Sequence, residues 1–301
     1  MSNEISRRAA VFTGATGFLG TALVTCAPAL FDDVRAVTSG RSASTGNAVP
    51  IDLAQPEAAV RLADSFRFER PESAVVVHAA GLVDNSEDGR CQNASMARQV
   101  AMWVRDSGVR TSIFVSTVSV YPDLPRVRLD SPLQPSTIYG IGKLEAEREW
   151  TNVLGKENTC IVRLGGIWGW QRRPTLFWNR MLLLAARGSE LGAEPAIPSK
   201  GGVRNHVSVG EVATCLLQFA KRGQRGVYLL AGSDTLTIGD FARALEALPG
   251  SRLRVRLQDV SSSADEYVCE PSPEVLPYLQ PFRKVLSEEW RRRPQWVSEC
   301  A

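Results

Sequence analysis

The first half of the chain alternates short apolar runs with stretches of helical periodicity. Residues 9–13, 34–38, 48–53, 73–78, 111–116 and 159–164 read as strands, the run SAVVVH at 73–78 as a buried one. Between them, residues 18–30, 56–68, 88–107 and 136–154 read as helices, the last starting just after Pro135, where a missing N–H costs least. Strands alternating with helices in this way build a parallel sheet. After Gly169 the alternation breaks down. Residues 172–187 read as a helix, and 209–220 carry Val209, Val212, Ala213, Leu216, Leu217 and Ala220 at helical spacing. A strand at 227–230 and a helix at 238–248 follow, while 261–281, rich in serine, proline and acidic residues, is expected to be loops. No internal repeat or low-complexity tract interrupts the pattern.

Composition narrows the class. At roughly 150 residues per domain, 301 residues make two lobes or one large α/β domain. Such a chain buries about 75% of its unfolded surface and needs no disulfide or metal to fold. Hydrophobic residues at 44% and charged residues at 22% exclude disordered and fibrous classes. A net charge of +3 gives no case for nucleic acid. The six cysteines form no CxxC pair, and with only two histidines a zinc site has almost no ligands, so no metal is expected. The cysteines read as reduced thiols of a cytoplasmic protein. The N-terminal apolar run is too short for a secretory signal, and Met181 to Ala186 falls far short of the ~20 residues of a membrane span.

Gly14-Ala15-Thr16-Gly17-Phe18-Leu19-Gly20 lies between the first strand and the first helix. In that context glycines allow a tight turn, let backbone N–H groups approach a pyrophosphate and seat the helix close to the strand. The alternative is an ordinary glycine-rich turn. Past the second strand, Val37-Thr38-Ser39-Gly40-Arg41 offers no acidic side chain for a free ribose 2′-hydroxyl. Ser39 and Arg41 can instead hold a 2′-phosphate, which favours NADP over NAD; the alternative is a solvated polar turn.

Tyr139 and Lys143 stand four apart, on one face of the predicted helix. A free phenol has a pKa of ~10, and an ammonium beside it is expected to lower that value. Phe114-Val115-Ser116-Thr117-Val118-Ser119-Val120-Tyr121 puts a row of hydroxyls at a strand end, where α/β sheets bind ligands.

Together these segments resemble the extended short-chain dehydrogenase/reductases of the NAD(P)-dependent epimerase/dehydratase family, over about residues 11–213. The resemblance rests on TGATGFLG at 13–20, Asp52-Leu53, HAAG at 78–81, Asn93, STVSVY at 116–121, YGIGK at 139–143 and RLGGIWG at 163–169. It implies a Rossmann-type doubly wound parallel sheet at 1–165 with 203–232 returning to it, and a small interleaved C-terminal substrate lobe at 166–202 and 233–301. It implies Thr117, Tyr139 and Lys143 as catalytic groups, Lys143 also holding the nicotinamide ribose. Gly14, Thr16, Gly17, Phe18, Leu19, Gly20, Arg41, Asp52, Leu53, Ala79, Ala80 and Gly81 would contact the cofactor, Asp52 at the adenine amino group. Ser116, Ser119, Tyr121, Gly166 and Arg204 would face substrate. His78 becomes a packing residue, Asn93 a structural bridge, and a homodimer through the Tyr139 helix is implied.

Members that dehydrate nucleotide sugars carry an acidic pair after the strand-end threonine; here Val118 and Ser119 stand there, which argues against dehydration. Arg204 matches a phosphate-clamping arginine, while Gly166 replaces a frequent substrate-contacting asparagine. The stretch Trp168, Trp170, Phe177, Trp178 either stacks a substrate or anchors the small lobe, and Trp290 to Pro294 reads as a basic helix end. The expected function is NADPH-dependent reduction of a carbonyl such as a nucleotide-linked 4-keto sugar. Alternatives are a nucleotide-sugar epimerase retaining NAD and, further off, a non-catalytic dinucleotide-binding regulator.

Overall fold

The computed structural model describes residues 8–40, 48–171, 174, 176–188, 196–198, 202–258 and 266–297. Arg41, Arg172 and Arg173 lie outside the described residues. In chain order the elements are β1 (Ala9–Thr13), α1 (Phe18–Cys26), β2 (Asp33–Thr38), β3 (Ala48–Pro50), α2 (Ala58–Ser65), β4 (Val75–His78), α3 (Glu87–Asp106), β5 (Thr111–Thr117), β6 (Arg126–Val127), α4 (Ile138–Leu154) and β7 (Cys160–Leu164). There follow β8 (Ile167–Trp168), α5 (Phe177–Arg187), β9 (Ala196–Pro198), β10 (Val203–Arg204), β11 (Val207–Ser208), α6 (Val209–Arg222), β12 (Gly226–Leu230), α7 (Ile238–Glu246), β13 (Arg256–Gln258), β14 (Glu266–Cys269) and α8 (Phe282–Arg291).

The main sheet has seven strands in the order β12-β7-β5-β4-β1-β2-β3. Thr13 lies opposite His78 on one side of β1 and Val37 on the other, all parallel. The chain thus leaves β1 in one direction and re-enters beside it at β4, and the crevice outside the carboxyl end of such a switch point is where these sheets take ligands. The expected α/β doubly wound sheet is the observed one.

The chain divides into two compact units. The first comprises 1–123, 129–164 and 212–228, and its core lies between the sheet and α2, α3 and α4. α3 and α4 approach closely: a Cβ on Gly142 would stand 2.8 Å from Arg90 Cα. α1 ends at Cys26 rather than at residue 30, because Pro28 lacks the N–H a continuing α-helix needs, and a 3₁₀ turn at Ala27–Ala29 takes over. β3 stops at Pro50, α2 runs only from Ala58 to Ser65, and the strand end at β5 extends to Thr117.

The second unit comprises 124–128, 165–211 and 229–301. Its strands are short and parallel: β8 on β11, β9 on β13, and β14 between β10 and β6. The core gathers Trp168, Trp178, Phe241, Phe282 and Trp290 from β8, α5, α7 and α8. Trp178 meets Phe241 edge to face at 4.5 Å, and the Trp170 indole donates to the Glu289 carbonyl. Of the two readings of this aromatic stretch, Trp168 and Trp178 follow the anchoring one. The expected loops at 261–281 include β14 and a 3₁₀ turn at Leu276–Tyr278. The helix α8, with Phe282, Val285, Leu286 and Trp290 buried, ends in the basic segment as expected.

Candidate active site

The glycine loop is built by contacts no side chain would allow. Gly14 has φ 69°, and a Cβ there would stand 2.7 Å from the Ala80 backbone. A Cβ on Gly20 would come within 2.0 Å of the Gly14 carbonyl oxygen, so α1 starts in direct contact with the end of β1. Gly17 caps α1 without a side-chain hydrogen bond, so no capping side chain stands between the helix start and the cleft that Gly17 lines. The loop borders a cleft of about 200 Å³ lined by Gly14, Thr16 and Gly17, by Thr38 and Ser39, by Asp52 and Leu53, and by Ala79, Ala80 and Gly81. Phe18, Leu19 and Gly20 do not line it; Leu19 and Gly20 are buried and seat the helix. Asp52 is held by hydrogen bonds from Ala54 N (3.1 Å) and Gln55 Nε2 (3.2 Å). Gln92 and Met96, one turn apart on α3, also line the cleft and carried no motif that would single them out. Bare glycine backbone, a helix start without a capping side chain and an acidic side chain at the far wall fit the pyrophosphate and adenosine of a dinucleotide.

The floor of the cleft is fixed from beneath. Asn93 holds both polar groups of Leu82, accepting from its N at 2.9 Å and donating to its O at 3.0 Å. Thr13 Oγ1 accepts from Ala80 N and lies 2.7 Å from His78 Nδ1. His78, Phe114 and Trp150 pack as a three-ring cluster with centroids 5.4–5.5 Å apart, and burial, with Lys143 adding, pushes the His78 pKa down to about 3. His78 is a neutral packing residue, as the family resemblance implies.

Thr137 caps α4 by accepting from Gly140 N, and Tyr139 N donates to Asn85. Gly140 lets the first turn sit on the carbonyl of Ser119, to which a Cβ would approach within 2.1 Å. The Thr117 hydroxyl lies close enough to the Tyr139 phenol to favour its ionised form. Thr117 in turn donates to Ser119 Oγ at 3.2 Å. Lys143 Nζ donates to Val115 O at 2.8 Å and lies 4.3 Å from the Phe114 ring centroid. It lies near Gly81, one of the cleft's lining residues, since a Cβ there would stand 3.7 Å from it. Burial brings the Lys143 amine down to about 8, with Glu147 opposing. The phenol differs from the sequence-based expectation: burial raises its pKa, and the Thr117 hydroxyl is what opposes the rise. The reason is the placement of the ammonium, which is engaged by Val115 O and the Phe114 face.

Thr117, Ser119 and Tyr139 therefore lie together, and Lys143 stands one turn along α4 from Tyr139. Ser116 and Tyr121 are buried, with their hydroxyls turned inward: Ser116 donates to Glu147, and Tyr121 donates to Leu129 O and accepts from Arg163. In the second unit, Arg204 on β10 exchanges backbone hydrogen bonds with Leu236. Gly166 lies under the His206 ring, so that a Cβ would stand 2.7 Å from it. His206 packs against Trp178, and burial, with Arg204 adding, holds its pKa down at about 4. Among the described residues no group of histidine, cysteine, aspartate and glutamate can hold a metal, and no helix is long and apolar enough to cross a membrane.

The sequence model of the NAD dependent epimerase/dehydratase family matches residues 10–231. The chain belongs to this family. It is an NAD(P)-dependent enzyme of the extended short-chain dehydrogenase/reductase type. No curated protein sequence matches it. Among solved structures, a putative epimerase from Burkholderia cenocepacia is similar at TM-score 0.78 and 17% identity, covering 94% of this chain and 96% of that one. A dTDP-4-dehydrorhamnose reductase from Bacillus anthracis in complex with NADP is similar at TM-score 0.74 and 17% identity, covering 96% and 100%. A UDP-glucose 4-epimerase from Thermus thermophilus in complex with NAD is similar at TM-score 0.74 and 19% identity, covering 95% and 100%. These likenesses share the fold of the family member described here.

Proposed function

We propose that the enzyme is an NADPH-dependent reductase of a carbonyl, with a nucleotide-linked 4-keto sugar as the substrate class. The observation that carries this reading is the placement of the Thr117 hydroxyl, hydrogen-bonded to Ser119, against the Tyr139 phenol, with Lys143 one turn along α4, in a unit whose cleft has no carboxylate at its β2 end. The glycine loop, Asp52, Leu53, residues 79–81 and Lys143 would hold the dinucleotide, which would supply the hydride. Thr117 holds the substrate oxygen, assisted by Ser119. Tyr139 gives that oxygen its proton: burial keeps the phenol protonated near neutrality, which is the form reduction requires. Lys143, in the ammonium form, favours the developing phenolate. Val118 and Ser119 supply no acid for elimination of water, so the chemistry stops at proton and hydride. Ser39 and Arg41 favour the 2′-phosphate, and Arg204, near Gly166 and His206, is assigned to a substrate phosphate.

The same Thr/Tyr/Lys groups would serve an epimerase that retains its NAD, and one experiment separates the two. The purified protein is denatured, the released small molecules are identified by mass and absorbance, and the ligand-free protein is titrated with NADPH and NADH. Tighter NADPH binding by a protein that releases nothing supports the reductase. Stoichiometric NAD surviving purification overturns it in favour of the epimerase, because a recycled cofactor has no need to leave.

A further inference from the structure

One turn beyond Lys143 on α4, a charged cluster lies sealed in the first unit. Glu147 and Arg163 form an ion pair with side-chain exposures of only 5% and 7%. Arg163 donates from Nε to Oε1 at 3.0 Å and from Nη2 to Oε2 at 2.7 Å. Ser116 adds a 2.5 Å hydrogen bond to Oε1, and the third guanidinium donor goes to the Tyr121 hydroxyl at 2.8 Å. The cluster ties α4 to β5, β7 and the segment after β5. Well-packed apolar residues would hold these elements together at least as firmly as a buried ion pair, so stability alone does not account for it. Lys143 sits at i−4 from Glu147, on the same helix face, and is anchored to Val115 O, the residue before Ser116.

We propose that Glu147 is a positioning residue for Lys143: clamped by Arg163 and Ser116, its carboxylate is the counter-charge that keeps the amine seated on Val115 as an ammonium. This rests on the reading of Tyr139 and Lys143 as the reacting pair. The groups facing Lys143 are Glu147 on α4, the neutral His78 ring on β4 and the Phe114 ring on β5, with Arg163 on β7 paired to Glu147. Burial works against the ammonium, and Glu147 is the group that opposes it. Arg163 and Ser116 hold the carboxylate in place, and Arg163 keeps it compensated on its far side. Ser116 and Tyr121 thereby act on the site from within.

The test needs no substrate. Lysine labelled with ¹³C at Cε gives signals from Lys143, Lys156, Lys200, Lys221 and Lys284, and Lys143→Met identifies the one of interest. Its titration is followed in the wild type, in Glu147→Gln and in Glu147→Gln/Arg163→Met, with circular dichroism confirming the fold. The wild-type midpoint is expected near 8. In Glu147→Gln it should fall by about one unit or more, because the counter-charge is gone and the guanidinium is left unpaired. In the double variant it should recover part of the way and remain below the wild type. A midpoint unchanged in Glu147→Gln, or fully restored in the double variant, overturns the proposal. If Glu147→Gln does not fold, the double variant, which removes both members of the Glu147–Arg163 pair, decides alone. A moved midpoint together with an active Tyr139→Phe enzyme would refute the reaction assignment while leaving the Glu147–Lys143 coupling intact. An unmoved midpoint with an inactive Tyr139→Phe enzyme would do the reverse.

Discussion

His78 makes the protein sensitive to acid in a measurable way. Its ring is 1% exposed and packs against both Phe114 and Trp150, with Thr13 at Nδ1 and a buried lysine close by. Burial lowers its pKa from 6.5 to about 3. The unfolded chain therefore takes up a proton near pH 6.5 that the folded protein refuses until near pH 3, and stability falls with pH across that window. Between pH 7 and pH 5 the linkage amounts to about 2 kcal/mol for this group, clear of most carboxylate titration. His78→Phe keeps an aromatic ring in the slot and removes the titration. Lost contact with Thr13 costs that variant a constant amount, while His206 titrates equally in both proteins and cancels in the difference. Urea unfolding at intervals from pH 7 to pH 5 should show the wild type losing about 2 kcal/mol more than the variant. Parallel pH curves would refute the claim that His78 is held neutral.

Other substitutions probe the remaining supports. Gly20→Ala forces a Cβ to within 2.0 Å of the Gly14 carbonyl oxygen. α1 must then shift, and a fluorescence titration should show dinucleotide affinity weakened by at least about tenfold, or ~1.4 kcal/mol. Asn93→Ala strips both partners from the Leu82 backbone, and chemical denaturation should record a loss of ~1–3 kcal/mol. Arg163→Met leaves Glu147 buried without its counter-ion and should cost ~3–5 kcal/mol, most of it recovered when Glu147→Gln is added.

The first unit was legible because its chemistry is local. Each strand from β1 to β5 is an apolar run bounded by turn residues, and the glycines of residues 14–20 and the Tyr139–Lys143 spacing sit within single strand-turn-helix segments. What the sequence left open depends on partners far along the chain. Ser116 and Thr117 are adjacent hydroxyls of one type, and only Glu147 and Tyr139 decide that one turns inward and the other toward the cluster. The strands β6, β8, β10 and β11 have two residues each, too few to carry an alternation, and exist because a distant strand pairs with them. Gln92 and Met96 reach the cleft through the placement of α3, which no spacing announces. The Lys143 ammonium was expected to act on the phenol from its position at i+4, but its carbonyl and ring partners lie on β5.

The central claim is that Tyr139 hands a proton to a carbonyl reduced at the dinucleotide cleft. The most direct measurement follows deuterium from [4-²H]NADPH into a nucleotide-linked 4-keto sugar, with the wild type and Tyr139→Phe compared at equal cofactor occupancy. The account predicts one deuterium at the former carbonyl carbon with the wild type. For Tyr139→Phe it predicts a loss of turnover of at least about a hundredfold, with NADPH affinity within a few-fold. Full turnover by Tyr139→Phe, or product formed without deuterium, would contradict it.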